Sequence, residues 1–385
     1  MAKVKIAYVC SDVGIDFGRS KVIYNILEYF ITNSNDYSVL LVTNKESKLN
    51  NYNYLKVDIE FIPISIKKRN PFNFLLSIFK LYKIVKLKNI QILHSHHRYS
   101  DLIIYIVNIL TKVKTVSTVH SYVYGYNLLS FLSDKIIFVS KALETYYINK
   151  FNLNKNKISV IYNAIKSPLD IDKYDSLSQK PSKNKLKVLC IGRIDYEKGQ
   201  DILIRSMEQV WKQYQNISLT LVGSFSRNIV KYKRFNNKKI NSIFYKNINI
   251  LLAEYEDKIK ILQTESTPWE LIYNSDVVII PSRIESFGLV ALEAGCLKKC
   301  VIASNVGGLS EIIQNKKNGL IFESENVDKL SEYLIFLYNN LYLIKQYGEK
   351  LYEDVINNFS LDTMGRKYNH IYKNLLGNSI SKRLV

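Results

Sequence analysis

Long apolar runs are missing from this sequence. None approaches the roughly 18 residues needed to cross a bilayer, and Leu102–Val107 runs straight into Asn108. The opening Met-Ala-Lys-Val-Lys-Ile enters a strand-like stretch directly, with no extended apolar segment and no small-residue cleavage site, so it does not read as a secretory signal. Cysteine is scarce, at four residues. Cys10 and Cys190 sit inside apolar strand-like runs, where a small buried thiol is the expectation. Cys296 and Cys300 have no second pair to complete a zinc site. These absences imply a cytoplasmic protein without cysteine chemistry.

Acid is missing locally. Residues 61–100 contain none, against eight basic residues: Lys67, Lys68, Arg69, Lys80, Lys83, Lys86, Lys88 and Arg98. Much of this falls in Phe72–Lys88, which reads as a helix beginning just after Pro71. On a helical wheel Asn73, Ser77, Lys80, Lys83 and Lys88 share one side, with Leu76, Ile84 and Leu87 intruding there. A basic helix with apolar residues on its wet side suits an anionic membrane surface. A second acid-free basic stretch runs from Arg227 to Lys246, but no nucleic-acid module accompanies it, so nucleic acid is not an expected partner.

What is present is ordinary globular material: 385 residues, 47% hydrophobic and 23% charged, with a net charge of +20. That composition excludes disorder and collagen-like repeats, and the length suggests two domains. The first alternates apolar strands and helices: strands at Val4–Cys10, Val39–Val42, Ile90–His94, Thr115–His120 and Ile136–Val139, with a helix at Ser20–Thr32. A polar stretch, 166–185, carries Pro168 and Pro181 and reads as a linker. The pattern restarts at Lys187–Ile191 and continues through Leu219–Val222, Lys258–Leu262, Val277–Ile280 and Val301–Ser304. The expected fold class is therefore α/β, with two doubly wound parallel-sheet domains facing across a cleft, at 1–165 and 186–365.

Chemistry-bearing residues gather at the carboxyl ends of these strands, where open parallel sheets bind ligands. The strand ending at Ile191 leads into Gly192-Arg193-Ile194-Asp195-Tyr196-Glu197-Lys198-Gly199. Arg193 and Lys198 place two cations there, suited to an anionic group such as a diphosphate. The strand Val277–Ile280 leads into Glu285-Ser286-Phe287-Gly288-Leu289 and then a helix containing Glu293. A glycine at a helix start leaves backbone N–H groups open to phosphate. Glu293 would lie about 8 Å beyond Glu285 at the helical rise, so the two carboxylates could hold hydroxyls at both ends of one nucleotide sugar. His120 ends its strand beside the expected cleft, and Gly14 and Gly18 occupy the first strand-to-helix loop. His94-Ser95-His96-His97 could suggest a metal, but no Cys or carboxylate nearby completes a set, and a solvated strand end is the simpler reading. Asp170-Ile171-Asp172 has the spelling of a metal-dependent transferase motif but falls in the linker.

Taken in order, these segments resemble the retaining glycosyltransferases of family 4, which have the GT-B fold. The resemblance rests on Val160–Ile165, Gly192-Arg193 with Glu197-Lys198-Gly199, Glu285–Ala294 and Gly307-Gly308-Leu309-Ser310-Glu311. It implies that Arg193 and Lys198 hold the donor diphosphate and stabilise the leaving nucleotide. Glu285 would bind donor-sugar hydroxyls, with Gly192, Ser286 and the backbone of Phe287, Gly288 and Leu289 close by. Glu293 would bind the ribose, His120 would lie near the reaction centre, and Gly18 would admit the phosphates.

The implied activity is transfer of a hexosyl or N-acetylhexosaminyl group with retention, from a UDP-sugar rather than a GDP-sugar, without metal or other cofactor. The acceptor would be a glycan or lipid-linked glycan in bacterial surface polysaccharide synthesis, at the inner face of the cytoplasmic membrane. A C-terminal helix, 366–385, would pack back on the first domain. The alternatives are a sugar-nucleotide epimerase of the same fold and a catalytically silent binding protein. Three departures from the family stand out: Phe17 precedes Gly18, Ser121 follows His120, and Gly223 is followed by Ser224.

Overall fold

The computed structural model describes residues 3–14, 18–47, 49, 52–64, 70–122, 130–166, 185–225, 238–263 and 268–377. The linker at 167–184, with its Asp-x-Asp, lies outside them, as do Lys67–Arg69, Arg227–Arg234 and 378–385. The chain divides into two compact units, Met1–Ala164 with Ser360–Val385, and Ile165–Phe359.

The first unit carries a seven-stranded parallel sheet: β1 (Val4–Val9), β2 (Tyr37–Thr43), β3 (Asp58–Phe61), β4 (Ile92–Ser95), β5 (Lys114–Val119), β6 (Lys135–Phe138) and β7 (Ile158–Val160). Their order is β3-β2-β1-β4-β5-β6-β7. The helices between them are α1 (Gly18–Asn33), α2 (Pro71–Lys88), α3 (Arg98–Thr111) and α4 (Lys141–Phe151). Central strands read as continuous apolar runs because helices cover both faces of such a sheet. Ile6, Ala7, Tyr8, Val9, Ile92 and Leu93 are all completely buried.

The second unit holds β8 (Leu186–Ile191), β9 (Ile217–Val222), β10 (Ile259–Leu262), β11 (Val277–Ile280), β12 (Cys300–Ser304) and β13 (Leu320–Phe322). The order is β10-β9-β8-β11-β12-β13, again all parallel. Its helices are α5 (Gln200–Trp211), α6 (Lys238–Glu254), α7 (Trp269–Tyr273), α8 (Leu289–Cys296), α9 (Leu309–Ile312), α10 (Val327–Asn339) and α11 (Leu341–Asn358). Trp211, Met207, Leu219 and Phe322 anchor the core between α5 and the sheet.

The last helix, α12 (Leu361–Leu376), belongs to the first unit and starts five residues before the expected 366. The Ser360 hydroxyl caps it by accepting the Thr363 N–H at 3.2 Å, which fixes the start. Tyr368 and Tyr372 are fully buried on its inner face, and a Cβ on Gly365 would stand 2.2 Å from the Tyr29 ring. This helix and α1 therefore touch at a position that accommodates no side chain.

α2 forms as read, with Asn70 capping the N–H of Asn73 at 2.6 Å and Pro71 in the first turn. Lys80, Lys83 and Leu87 are exposed as expected, but Ser77 is not. Ser77 is buried with Ile78, Leu81 and Val85, its hydroxyl donating to the Asn73 carbonyl at 2.7 Å. That internal bond removes the reason for Ser77 to face water. Besides Leu87, which is 81% exposed, the face turned to solvent carries Phe72, Leu75 and Phe79, which are 73%, 64% and 53% exposed, with Lys80, Lys83 and Lys86 among them. Lys83 Nζ sits 4.4 Å above the Phe79 ring, and Lys88 pairs with Glu60 at 2.8 Å.

Candidate functional site

In the second sheet the strand order reverses at β8, which lies between β9 and β11. Ligands of open parallel sheets bind beyond the carboxyl ends at such a reversal. β8 ends at Ile191 and continues into Gly192-Arg193, while its neighbour β11 ends at Ile280 and leads to Glu285. Both motifs read from the sequence thus emerge at the same edge, side by side.

A single 3-10 turn, Tyr196–Lys198, aims the lysine. The Asp195 carboxylate caps it by accepting the Lys198 N–H at 3.1 Å. Lys198 Nζ then reaches Glu285 Oε2 at 2.5 Å, and Glu285 Oε1 accepts the Ser286 N–H at 3.1 Å. Burial works against the charge of Lys198, but Glu285 beside it outweighs that and holds the ammonium above its ordinary value. The sequence placed these two groups on different parts of a donor; the structure joins them in one ion pair. An ammonium has three N–H donors, and Glu285 takes one. Arg193 Nη2 lies 3.1 Å from Asp195 Oδ2 and 3.3 Å from Glu197 Oε2. Burial pushes the Asp195 carboxyl up, while Arg193 pulls the other way.

The Glu285 loop is held from behind. Gly288 caps α8 with φ 110°, a conformation that other residues adopt at a cost, and Leu289 is the first helical residue. Phe287 is buried against Phe359 with ring centroids 5.9 Å apart, which fixes the loop between Glu285 and α8. Glu293 sits in the second turn of α8 and is only 4% exposed.

Three supporting residues were not singled out from the sequence. Arg283 donates from Nη1 and Nη2 to both carboxylate oxygens of Asp201 at 2.8 Å, from Nε to Glu325 at 2.7 Å, and from Nη1 to the Tyr196 carbonyl at 3.0 Å. Its backbone N–H donates to the Glu197 carbonyl at 2.8 Å. Arg283 therefore ties the Glu285 loop to the turn that carries Lys198. Gln200 Nε2 donates to the Arg193 carbonyl at 2.8 Å, steadying the other end of that loop. The sequence signal was adjacency: Gln200 and Asp201 follow Gly199 directly, and Arg283 lies two residues before Glu285.

His120 and Gly18 belong to the first unit. Gly18 opens α1, and His120 follows β5 at the carboxyl edge of the seven-stranded sheet. The neighbouring histidines are not the solvated strand end expected. His94 is completely buried and His96 is 2% exposed. The cause is α12, whose Tyr372 hydroxyl meets His94 Nδ1 at 2.7 Å, while His94 Nε2 meets Thr118 Oγ1 at 2.8 Å.

Comparison with known proteins agrees with both halves. The family described as Glycosyltransferase Family 4 matches residues 17–167, and that described as Glycosyl transferases group 1 matches residues 173–358. An uncharacterized glycosyltransferase of Methanocaldococcus jannaschii is 28% identical over 64% of this chain, which spans 61% of that relative's length. A 41.2 kDa protein from the cps region of Klebsiella pneumoniae is 26% identical over 87% of this chain and 83% of its own. A solved glycosyltransferase from Rickettsia africae superposes with TM-score 0.82 at 24% identity, covering 98% of this chain and all of its own. Anabaena HepE, solved with UDP and glucose, superposes with TM-score 0.75 at 17% identity over 96% of this chain and 99% of its own. With two parallel doubly wound sheets, and family matches that together run from residue 17 to 358, the chain belongs to the GT-B glycosyltransferases of group 1 and family 4.

Proposed function

We propose that the chain transfers a hexosyl or N-acetylhexosaminyl group, with retention and without a metal, from a UDP-sugar to a glycan or lipid-linked glycan. The observation that carries this is the Lys198–Glu285 pair at the reversal of the second sheet. Its remaining ammonium donors, with the Arg193 guanidinium nearby, suit two phosphates whose charge grows as the glycosidic bond breaks. Fixed cations aimed at developing charge act electrostatically. Glu285 is anchored by Lys198 and by a backbone N–H, so its carboxylate is oriented before a sugar hydroxyl arrives. UDP is the favoured nucleotide because HepE was solved with it. Surface polysaccharide synthesis is the favoured setting because of the Klebsiella relative's cps region.

A thermal-shift comparison of UDP, GDP, CDP and ADP tests the site. A nucleotide at 100 times its dissociation constant adds about 2.7 kcal/mol of stability, a shift of several degrees. UDP is expected to stabilise the wild type and to lose most of that effect in Glu293→Ala. Equal shifts in both proteins would remove Glu293 from the ribose, and no shift with any nucleotide would favour the silent binding protein. An epimerase would bind UDP alike but transfer no sugar to an added glycan.

We further propose that α2 rests on an anionic membrane, which brings a lipid-linked acceptor within reach. No described helix is long and apolar enough to cross a bilayer, so the contact is at the surface. Phe72, Leu75 and Phe79 supply insertion, and Lys80, Lys83 and Lys86 supply attraction at about 1 kcal/mol each. Replacing these three lysines with Gln is expected to weaken co-sedimentation with phosphatidylglycerol-containing vesicles about a hundredfold at low salt. Lys88→Gln is expected to change little, since Lys88 is engaged by Glu60. Undiminished binding by the triple variant, or equal binding to neutral vesicles, would overturn this contact.

A further inference from the structure

At the carboxyl edge of the seven-stranded sheet, His96 and His120 face each other from adjacent strands. His96 Nδ1 lies 2.8 Å from His120 Nε2, with ring planes 25° apart, so the two imidazoles meet almost edge to edge. The His96 ring has no freedom to turn away. It stacks on His94 at 4.4 Å and on Tyr8 at 6.0 Å, and His94 is itself pinned at both nitrogens by Tyr372 and Thr118.

Only one of the two rings can donate in this bond, and burial decides which. His96 Nε2 is buried and has no hydrogen-bond partner among the described residues. A proton there would be an orphaned buried N–H, a rarer and costlier state than an unfilled acceptor. The single proton of a neutral His96 therefore belongs on Nδ1, donated to His120 Nε2. An imidazolium at His96 would again put a proton on Nε2, and burial holds that ring far below its ordinary value, at about 3. His120 is kept neutral in the same way, by burial first and then by His96, Arg19, His97 and His94 around it.

We propose that His96 is a positioning residue that fixes the proton of His120 on Nδ1, so that His120 presents a neutral N–H donor to a hydroxyl oxygen of a sugar substrate at the carboxyl edge of this sheet. The sugar contact rests on the transferase reading above; the proton placement does not. His120 is half-buried and His96 is enclosed, so the pair sets a fully buried orienter behind the outer ring.

The test is a long-range proton–nitrogen correlation spectrum of the full-length, ¹⁵N-histidine-labelled protein at pH 7, with the His120 signals assigned by their loss in His120→Asn. Wild type is expected to show His120 protonated at Nδ1 and bare at Nε2. His96→Asn, whose amide nitrogen can take the place of Nδ1, is expected to keep that pattern. His96→Leu is expected to shift the His120 proton toward Nε2 and to lower kcat/KM about tenfold, as for one lost hydrogen bond, with His96→Asn recovering most of it. A wild-type His120 protonated at Nε2 would overturn the proposal even if no variant folded. So would an unchanged His120 pattern in a folded His96→Leu protein. Unaltered turnover in His120→Asn would instead remove His120 from the sugar contact, leaving the proton placement to stand on its spectrum.

Discussion

Lys198→Ala is expected to lower the rate of nucleotide release from the nucleotide sugar by about 10²–10³, the scale on which single preorganised charge-stabilising donors act. Two effects combine. On the proposed reading the substitution removes a cation aimed at the leaving diphosphate, and it strands Glu285 as a mostly buried carboxylate whose charge would repel the phosphates. Lys198→Ala should therefore be worse than Glu285→Gln alone, because Gln leaves the ammonium in place and adds no charge. The double variant should fall short of the product of the two single losses, since they share one contact at 2.5 Å. Lys198 is held charged well above neutral pH, so its contribution should not titrate between pH 6 and 9. The check is single-turnover nucleotide release with circular dichroism to confirm folding. A folded Lys198→Ala protein within threefold of wild type would take Lys198 out of the reaction.

Much of this site was legible because its residues are local in sequence. Gly192–Gly199 and Glu285–Glu293 each follow a strand whose continuous apolar run marks it as central, and the parallel fold brings such strand ends to one edge. The strands that the sequence hid are β3, β7 and β13, and all three lie at sheet edges. β7 and β13 are three residues each, too short to stand out, and β3 reads Asp-Ile-Glu-Phe, with no residue fully enclosed, so no apolar run announces it. Ser77 of α2 was misplaced for the opposite reason. Apolar residues line both sides of that helix, so polarity alone placed Ser77 outside, and only packing shows its hydroxyl satisfied by the preceding turn. Arg283 and the His96–His120 pair depend on contacts between segments far apart or on neighbouring strands. Side-chain pairing of that kind has no periodicity to read.

Gly307→Ala is expected to be nearly as damaging as the loss of Lys198, although it touches neither charge of the pair. Gly307 has φ +54°, and a Cβ built on it would stand 1.6 Å from the Glu285 carbonyl oxygen and 2.7 Å from the carbonyl carbon. The obstacle is backbone, so no side-chain rotation relieves it. Either the loop after β12 or the Glu285 loop must move, and the two are packed just as closely at Gly308, whose own Cβ position is 2.7 Å from Phe287 Cα. Displacing Glu285 by about 1 Å is enough to cost about a hundredfold in turnover, and the Lys198 contact would lengthen with it. Gly377→Ala separates this from backbone strain alone. Gly377 also has positive φ, at +65°, but among the described residues nothing lies within 4 Å of its Cβ position, so that variant should keep full turnover. Measured side by side, a folded Gly307→Ala enzyme with wild-type nucleotide release would mean that the position of Glu285 does not limit the reaction. A loss in Gly307→Ala that Gly377→Ala does not share would tie catalysis to the seating of one carboxylate by a glycine 22 residues downstream.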